Sequence, residues 1–200
     1  MTYEEYYGAA LKPLKQTEAL LLDIINAYAE VSGTETELKP IVYCCSRIKK
    51  PESVLKKCRI RGYETDIAAA LENLYDLVGI RVICAFSADV YRIAEWLKAQ
   101  PDIEVIQEKD YYAAPKPNGY RSYHFLLRVP STGMKSEIQL RTIATDFWAT
   151  LEHQMKYKKE IPNEKMIRKE LKRCADEIAS VDLSMQTIRE IIQESIAPDS

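Results

Sequence analysis

The 200-residue sequence lacks several features that would each define a class of protein. It contains no apolar run near the ~18 residues that a membrane span requires. Its six glycines form neither G-x-x-x-x-G-K-[ST] nor G-x-G-x-x-G, so side chains rather than a glycine-rich loop would hold any bound phosphate. With only two histidines, and five cysteines without C-x-x-C spacing, a His-rich or zinc centre is excluded and reduced, cytoplasmic thiols are indicated.

The charge and the N-terminus exclude further classes. A net charge of -2 gives no global argument for nucleic-acid binding. The start, M-T-Y-E-E-Y-Y, is acidic and aromatic, unlike a signal or transit peptide.

The composition, 46% hydrophobic and 29% charged, is that of an ordinary globular protein, and the length predicts one domain spanning residues 1–200. Within it we distinguish an N-terminal helical region (1–40), a core (41–160) and a C-terminal helix (163–197). Hydrophobic patterning predicts five strands alternating with helices. The strands are expected at residues 41–45, 77–84, 103–112, 122–129 and 135–141.

The stretch from Asp110 to Arg141 carries the most unusual combination of residues. Its first part, D-Y-Y-A-A-P-K-P-N-G-Y-R-S-Y-H, predicts a turn that leads into an aromatic-rich strand. Its second part, S-E-I-Q-L-R-T, predicts a strand on which Glu137, Gln139 and Arg141 share one face, because strand side chains alternate. These polar groups are costly on a buried strand. A half-exposed edge strand with a solvated face is the alternative.

A basic segment lies earlier in the chain. Residues 46–61, S-R-I-K-K-P-E-S-V-L-K-K-C-R-I-R, contain seven basic side chains among sixteen residues. Pro51 suits the first turn of a helix, on which Ser53 and Lys57 share a face. A helix N-terminus flanked by lysines, with a hydroxyl nearby, can hold phosphate. A solvated basic helix is the alternative interpretation.

Two carboxylates stand out by their positions. Asp76 precedes the buried strand L-V-G-I-R-V-I-C, in which Arg81 needs an anionic or aromatic partner or forms a structural salt bridge. Asp76 and Arg81 are an odd number of positions apart, so on one regular strand their side chains would point to opposite faces. Both can face one site only if Asp76 lies in the bend before the strand. Asp76 and Glu137 would then supply the oxygen ligands that Mg²⁺ needs for phosphoryl or pyrophosphoryl transfer. One carboxylate could accept a proton from an attacking hydroxyl, while Tyr120 stacks on one base and Arg47 and Arg81 stack on another.

The last helix shows a different periodicity. Its apolar residues alternate steps of four and three, which is typical of a coiled coil. The repeat consists of Ile167, Leu171, Cys174, Ile178, Val181, Met185, Ile188 and Ile192. It predicts either a subunit contact or a helix folded back on its own domain. The preceding helix, 142–158, is expected to bury Phe147, Trp148, Leu151 and Met155, with His153 as a packing residue.

Taken together, the motifs resemble the synthetase domain of the Rel/Spo-homologue family, the (p)ppGpp alarmone synthetases. The matching segments are S-R-I-K-K-P-E-S, D-L-V-G-I-R-V, D-Y-Y-A-A-P-K-P-N-G-Y-R-S-Y-H and E-I-Q-L-R-T. They occur in the family's order, and D-F-W-A-T-L-E-H-Q-M-K-Y-K follows as in its small, single-domain members. The sequence shows neither the hydrolase domain nor the regulatory domains of the long members.

The resemblance implies an α+β fold with a mixed sheet of about five strands flanked by helices, like that of nucleotidyltransferases. It also implies transfer of the β,γ-pyrophosphate of ATP to the 3′-OH of GTP or GDP, with Mg²⁺ as cofactor. Asp76 and Glu137 would hold Mg²⁺, and Glu137 would activate the hydroxyl. The ATP-binding residues would be Arg47, Lys49, Ser53, Lys57 and Arg81. The GTP- or GDP-binding residues would be Lys109, Lys116, Asn118, Tyr120, His124, Gln139 and Arg141.

Two other functions stay open at this point. The same fold could pyrophosphorylate another acceptor, such as an adenine nucleotide or the 3′ end of tRNA. The chain could also be a catalytically silent oligomer that binds nucleotides or RNA through residues 46–61. The resemblance further implies a cytoplasmic homo-oligomer, with a tetramer favoured, and single-stranded RNA or an alarmone is a candidate regulator.

Overall fold

A computed structural model describes residues 1–32, 39–156 and 163–196. The helices are α1 (Tyr3–Tyr7), α2 (Leu11–Ser32), α3 (Pro51–Arg61), α4 (Ile67–Asn73), α5 (Ser87–Lys98), α6 (Ile143–Lys156) and α7 (Glu164–Ile196). The strands are β1 (Ile41–Ile48), β2 (Val78–Cys84), β3 (Glu104–Asp110), β4 (Tyr123–Val129) and β5 (Met134–Thr142). The end of the predicted helix 142–158 and residue 197 lie outside the described residues.

The five strands form one mixed sheet in the order β1-β2-β5-β4-β3. Strands β2 and β5 are parallel, whereas the other neighbouring pairs are antiparallel. The fold is therefore α+β with a five-stranded mixed sheet, as the resemblance implies. No helix in the described part of the chain is long and apolar enough to cross a membrane.

One face of the sheet carries polar residues from all five strands, and the register of the strands brings them side by side. The pairing aligns one residue of each strand in a continuous row, which runs Cys45, Arg81, Gln139, His124 and Lys109. Directly paired side chains point to the same face. Residues that are far apart in sequence therefore meet on one surface.

The opposite face is the main hydrophobic core. Strand residues such as Ile138, Leu140 and Phe125 are fully buried there. They pack against Leu21 and Ile25 of α2 and against an apolar stripe of α5. The alternation predicted for β5, with polar residues on one face and Ile138 and Leu140 in the core, is confirmed.

A second, smaller core supports the basic segment. Tyr7 and Leu14 pack with Val54 and Cys58 of α3, and with the residues that precede β2. The Tyr7 hydroxyl donates to the backbone oxygen of Lys49 at 2.6 Å. Pro51 is the first residue of α3, as predicted. The N-terminal helices therefore fix the position of the chain around Lys49.

Helix α6 corrects two of the predictions. Trp148 is buried, but Phe147, Leu151 and Met155 are 60%, 41% and 38% exposed, so the expectation that they are buried is wrong. His153 is also exposed, which contradicts its interpretation as a packing residue. The large apolar side chains of α6 face away from the domain because its inner face packs through smaller or polar residues around Trp148.

The coiled-coil repeat of α7 divides into two halves. Leu171, Cys174 and Ile178 pack against Trp148 within the domain. The second half of the repeat is exposed by 48–59% and consists of Val181, Met185, Ile188 and Ile192. There the buried side of the helix is polar instead, and it consists of Asp182, Gln186 and Arg189.

The polar side of α7 is held by specific partners. Arg189 donates to both carboxylate oxygens of Asp89 at 2.7 Å, and both side chains are buried. Thr142 donates to Asp182 at 2.8 Å, and the backbone N–H of Ala88 donates to Gln186 at 3.2 Å. These bonds satisfy the buried polar groups and fix α7 against the start of α5.

Candidate active site

A cavity of about 260 Å³ opens on the polar face of the sheet. It is lined by Cys45, Ser46, Arg47, Asp76, Gly79, Ile80, Arg81, Glu137 and Gln139. Asp76 and Glu137, 61 positions apart in the sequence, therefore share one cavity. Gly79 pairs with Arg47, and a Cβ on Gly79 would lie only 4.0 Å from Arg47 Cγ and Nε, so the arginine side chain lies close along this glycine.

Asp76 lies in the bend before β2, which lets it face the cavity together with Arg81. Lys49 and Lys57 both contact its Oδ2 atom, at 2.6 and 2.7 Å. Its Oδ1 atom is buried and has no hydrogen-bond partner among the described residues. One carboxylate oxygen is thus neutralised by two cations, whereas the other remains available as an acceptor.

Glu137 accepts hydrogen bonds at both of its oxygens. His124 Nδ1 lies 3.1 Å from Oε1, and Gln139 Nε2 donates to Oε2 at 3.1 Å. Arg141 in turn donates to Gln139 Oε1 at 2.7 Å and to the Tyr120 hydroxyl at 2.9 Å. The Tyr120 hydroxyl lies 2.8 Å from His124 Nε2. Five side chains thus form a closed ring of hydrogen bonds.

Two members of this ring, Arg141 and Glu137, restrict the directions of its hydrogen bonds. Arg141 can only donate, and ionised Glu137 can only accept. His124 Nδ1 therefore carries a proton and donates to Glu137. When the imidazole is neutral, its Nε2 atom accepts from the Tyr120 hydroxyl. A neutral His124 in this one tautomer is compatible with all five hydrogen bonds of the ring, and the buried Nε atom of Arg141 has no partner among the described residues.

The pKa shifts of the ring and of Asp76 agree with this assignment. Burial lowers the pKa of His124, reinforced by the charges of Arg141 and Lys116 and opposed by Glu137. Burial would raise the pKa of Glu137, but the hydrogen bonds from His124 and Gln139 outweigh it and lower the pKa. Likewise burial opposes ionisation of Asp76, and the bonds from its two lysines lower the pKa of that carboxyl. Both carboxylates are ionised at neutral pH.

The turn before β4 places Tyr120 between the ring and α7. Gly119 has a φ of +88°, and a Cβ there would lie 2.5 Å from Cβ of Ala175, so only glycine fits. Arg121 donates to the backbone oxygen of Ala175 and contacts Asp176 of α7. Helix α7 therefore holds the turn that carries Tyr120.

The other predicted nucleotide-binding residues are distributed around this centre. Lys116 Nζ lies over the rings of Tyr111 and Tyr120, at 4.5 and 4.7 Å from their centroids. Asn118 donates to Glu152 at 2.9 Å. Lys109 lies opposite His124 at the far end of the polar row. Ser53 is exposed in the first turn of α3, outside the cavity lining.

Sequence reasoning missed Asp146 in the first turn of α6. Its Oδ1 atom lies 2.9 Å from Arg141 NH1 and 3.4 Å from Arg81 NH1. Asp146 lies five residues after Arg141, just after the strand ends. A carboxylate in the first helical turn that follows a strand arginine was the signal that could have identified it.

The arrangement suits the binding of a divalent cation with help from a substrate. No group of three or more metal-ligating side chains occurs in the described ranges. Mg²⁺, however, is commonly held by one or two carboxylates together with substrate phosphates. Asp76, with its unpartnered Oδ1, and Glu137 in the same cavity fit that mode of binding.

Comparison with known proteins identifies the family. Residues 46–162 match the region found in RelA/SpoT proteins. GTP pyrophosphokinase YwaC of Bacillus subtilis (strain 168) is 38% identical over 178 residues, which cover 84% of this chain and 85% of that protein. The chain therefore belongs to the RelA/SpoT family.

Solved structures agree with this family and with the fold. Small alarmone synthetase 1 from Bacillus subtilis, bound to its product pppGpp, is similar with a TM-score of 0.79 at 30% identity, covering 90% of this chain and 95% of that one. The same enzyme bound to AMPCPP gives a TM-score of 0.73 at 30% identity, with coverages of 92% and 96%. The chain has the fold of the small alarmone synthetases.

Proposed function

We propose that this protein is a GTP pyrophosphokinase, which transfers the β,γ-pyrophosphate of ATP to the ribose 3′-OH of GTP or GDP. The observation that carries the proposal is the shared cavity in which Asp76 and Glu137 lie beside Arg47 and Arg81. The family relationship supports the same reaction, since YwaC is named for this activity.

In the proposed reaction, the 3′-oxygen of the acceptor attacks the β-phosphorus of ATP. The bond between the β-phosphorus and the α–β bridging oxygen breaks, and AMP leaves. Glu137 accepts the proton of the 3′-hydroxyl, because its lowered pKa keeps it ionised and its two hydrogen bonds fix its orientation. The neutral imidazole of His124 and the amide of Gln139 hold this base in place.

We assign the cations of the site to the donor nucleotide. Arg47 and Arg81 would stack on the adenine, and Lys49 and Lys57 would offset charge on the transferred phosphates. Both lysines contact Asp76 at 2.6 and 2.7 Å, which supports a role for them beside phosphates bound at that carboxylate. Asp76 and Glu137 would hold Mg²⁺, which supplies charge stabilisation at the phosphate oxygens when bound.

We assign the guanine nucleotide to the region around the Tyr120 turn. Tyr120 would stack on the base, with Lys116, Asn118 and His124 near the rest of the acceptor. Lys109 and Arg141 lie at either side of His124 on the polar face, and Gln139 lies between the donor and acceptor regions.

The proposal is tested by incubating the protein with ATP labelled at the γ-phosphate, Mg²⁺, and GDP, GTP, ATP or tRNA as acceptor. Label on GDP and GTP, with release of AMP, is expected. Glu137→Gln should reduce turnover by about 10²–10⁴-fold while AMPCPP still binds, because a general base is lost. Glu170→Gln, an exposed acid on α7, is the matched control with unchanged turnover.

Two outcomes would contradict the proposed function and favour another. Label on an adenine nucleotide or tRNA, with none on GDP or GTP, would assign another acceptor to the same site. A wild-type protein as inactive as Glu137→Gln would favour a binding module.

We also propose a homo-oligomer, with a tetramer favoured. The exposed apolar stripe of α7 and the exposed side chains of α6, Phe147, Leu151 and Met155, form a surface that another subunit could cover. The five cysteines are all free, which fits a cytoplasmic location. Single-stranded RNA or an alarmone stays a candidate regulator.

A further inference from the structure

Asp146 joins two arginines that the proposed reaction assigns to different substrates. Its Oδ1 atom contacts both Arg141 NH1 at 2.9 Å and Arg81 NH1 at 3.4 Å. The three side chains differ in exposure: 7% for Arg141, 23% for Asp146 and 37% for Arg81. The contact thus extends from the interior of the acceptor side to the open cavity of the donor side.

The two arginines would repel each other without this carboxylate. Arg81 pairs with Gln139 on the adjacent parallel strand, and Arg141 lies two residues further along that strand on the same face. Two guanidinium charges on neighbouring strands need an anion between them. Among the described residues, Asp146 is the acid that contacts both.

Arg141 connects Asp146 to the ring that surrounds Glu137. It donates to Tyr120, which would stack on guanine, and to Gln139, which donates to Glu137. A continuous set of contacts therefore runs from the donor side at Arg81, through Asp146, to the acceptor side and the candidate base.

We propose that Asp146 is a positioning residue that couples the binding of the donor nucleotide to that of the acceptor. The inference rests on the proposed function, since it assumes adenine on Arg81 and guanine on Tyr120. A donor base over Arg81 excludes water from the Arg81–Asp146 pair and strengthens their attraction. The strengthened pair orders Asp146 and Arg141, and hence the ring at Tyr120, so the acceptor binds a more ordered site. By linkage, the acceptor must favour donor binding by the same factor.

The coupling is measured by calorimetric titration with AMPCPP, whose methylene bridge between the α- and β-phosphorus atoms blocks transfer. The Kd for AMPCPP is determined alone and with saturating GDP, in the presence of Mg²⁺. In the wild type, GDP is expected to lower this Kd by about 5- to 20-fold, within the usual range of coupling between sites. In Asp146→Asn, which keeps the size of the side chain but not its charge, the factor should fall to about one to two. Glu170→Gln should keep the wild-type factor.

A second variant guards against a purely structural effect of Asp146→Asn. Arg81→Gln removes the donor end of the contact and is expected to bind GDP with unchanged affinity, yet to lose the coupling. In the double variant, the Kd for AMPCPP should equal that of Arg81→Gln alone, because Asp146 acts through Arg81.

The outcomes separate this inference from the proposed function. A wild type without coupling, or a wild-type coupling factor in either Asp146→Asn or Arg81→Gln, would overturn the role of Asp146 while transfer to GDP stays intact. Failure of the wild-type protein to transfer pyrophosphate to GDP or GTP would instead overturn the function itself.

Discussion

At the scale of single residues, Glu137 is held by groups whose own positions are fixed. His124 and Gln139 each use one atom to contact Glu137 and another to accept from Tyr120 or Arg141. Because the hydrogen bonds close into a ring, losing one member leaves its neighbours without a partner in a buried place. The orientation of the base and the position of the predicted guanine platform therefore depend on each other.

Tyr120 has two separable contributions, and two substitutions should distinguish them. Tyr120→Ala removes the stacking surface and should raise the KM for GTP by about 5- to 150-fold, corresponding to about 1–3 kcal/mol per stacked base. The KM for ATP should change much less. Steady-state kinetics with each nucleotide varied in turn measures both values. Equal effects on the two KM values would show that Tyr120 does not contact the acceptor.

Tyr120→Phe is the matched companion to that variant. It keeps the ring but removes the hydroxyl that donates to His124, leaving a buried nitrogen without its partner. The loss of about 1 kcal/mol should appear as a roughly fivefold decrease in kcat, with the KM for GTP nearly unchanged. An unchanged kcat would mean that the ring does not orient Glu137.

The neutral state of His124 gives a pH dependence with a definite sign. Its pKa is lowered in the folded protein, so below about pH 6.5 the unfolded chain binds a proton that the native protein does not. The free energy of unfolding should therefore fall as pH falls from 7 to 5. The lowered pKa values of Asp76 and Glu137 act in the same direction at lower pH, and the raised pKa of Asp182 acts in the opposite direction.

Urea denaturation in metal-free buffer, compared between wild type and His124→Asn, isolates this term. Between pH 7 and 5, the free energy of unfolding should change less steeply with pH in the variant, by up to about 1.4 kcal/mol per pH unit, because one titrating group is removed. The contributions of Asp76 and Asp182 are common to both proteins and cancel to first order. Glu137 loses its hydrogen bond from His124 in the variant, so the slopes are compared above about pH 5.5, away from the usual range of a carboxyl group. Identical slopes would show that His124 is not held in its neutral form.

At the scale of helices and strands, periodicity predicted what faces the core but not which polar groups pair. The strands were predicted because β2 reads as a continuous apolar run and β5 alternates polar and apolar residues, and α3 because Pro51 marks its start. The inner face of α7 could not be predicted in this way. Asp182, Gln186 and Arg189 are buried because partners exist on α5 and β5, which are distant in sequence.

Asp146 and the ring illustrate the same limit within the site. The alternation of β5 places Glu137, Gln139 and Arg141 on one face, and the resemblance assigned them to a nucleotide site. That their side chains bond to one another, to His124 and to Tyr120 depends on the register of β4 against β5 and on the turn before β4. The register of paired strands cannot be read from the sequence alone, so these contacts could not be predicted from it.

The buried pair of Arg189 and Asp89 should determine whether α7 stays docked. Arg189→Ala removes the guanidinium that donates to both oxygens of the buried Asp89 and leaves it the longer contacts to Arg92 and to the backbone N–H of Phe86. The substitution should destabilise the protein by about 3 kcal/mol. Chemical denaturation monitored by tryptophan fluorescence measures this, since Trp148 packs against α7. Arg168→Ala removes an exposed pair with Glu164 on the same helix and should cause little change. Equal effects of the two variants would contradict the role assigned to the buried pair.

At the scale of the whole molecule, the described residues form three hydrophobic clusters, and each supports one part of the site. The main core fixes the sheet that carries Arg81 and Glu137, and the N-terminal cluster fixes the segment around Lys49. The third cluster, around Trp148 and Ala175, includes Tyr120 and connects it to α6 and α7. The acceptor side therefore rests on the C-terminal helix, whose second half carries an exposed apolar stripe.

This outer surface provides a test of the oligomer that keeps the fold of each subunit intact. Ile188 is exposed in the second half of the coiled-coil repeat, so Ile188→Asp places a charge in the proposed interface and should dissociate the oligomer at micromolar concentration. Thr187→Asp adds the same charge at the neighbouring exposed position outside the repeat and should leave assembly unchanged.

Ile178→Asp should have a different effect from Ile188→Asp. Ile178 packs against the Trp148 cluster, so a charge there should destabilise the subunit itself rather than only separate subunits. Sedimentation velocity measures assembly, and circular dichroism on the same samples measures folding. If Ile188→Asp sediments like the wild type, the exposed half of α7 is not a subunit contact.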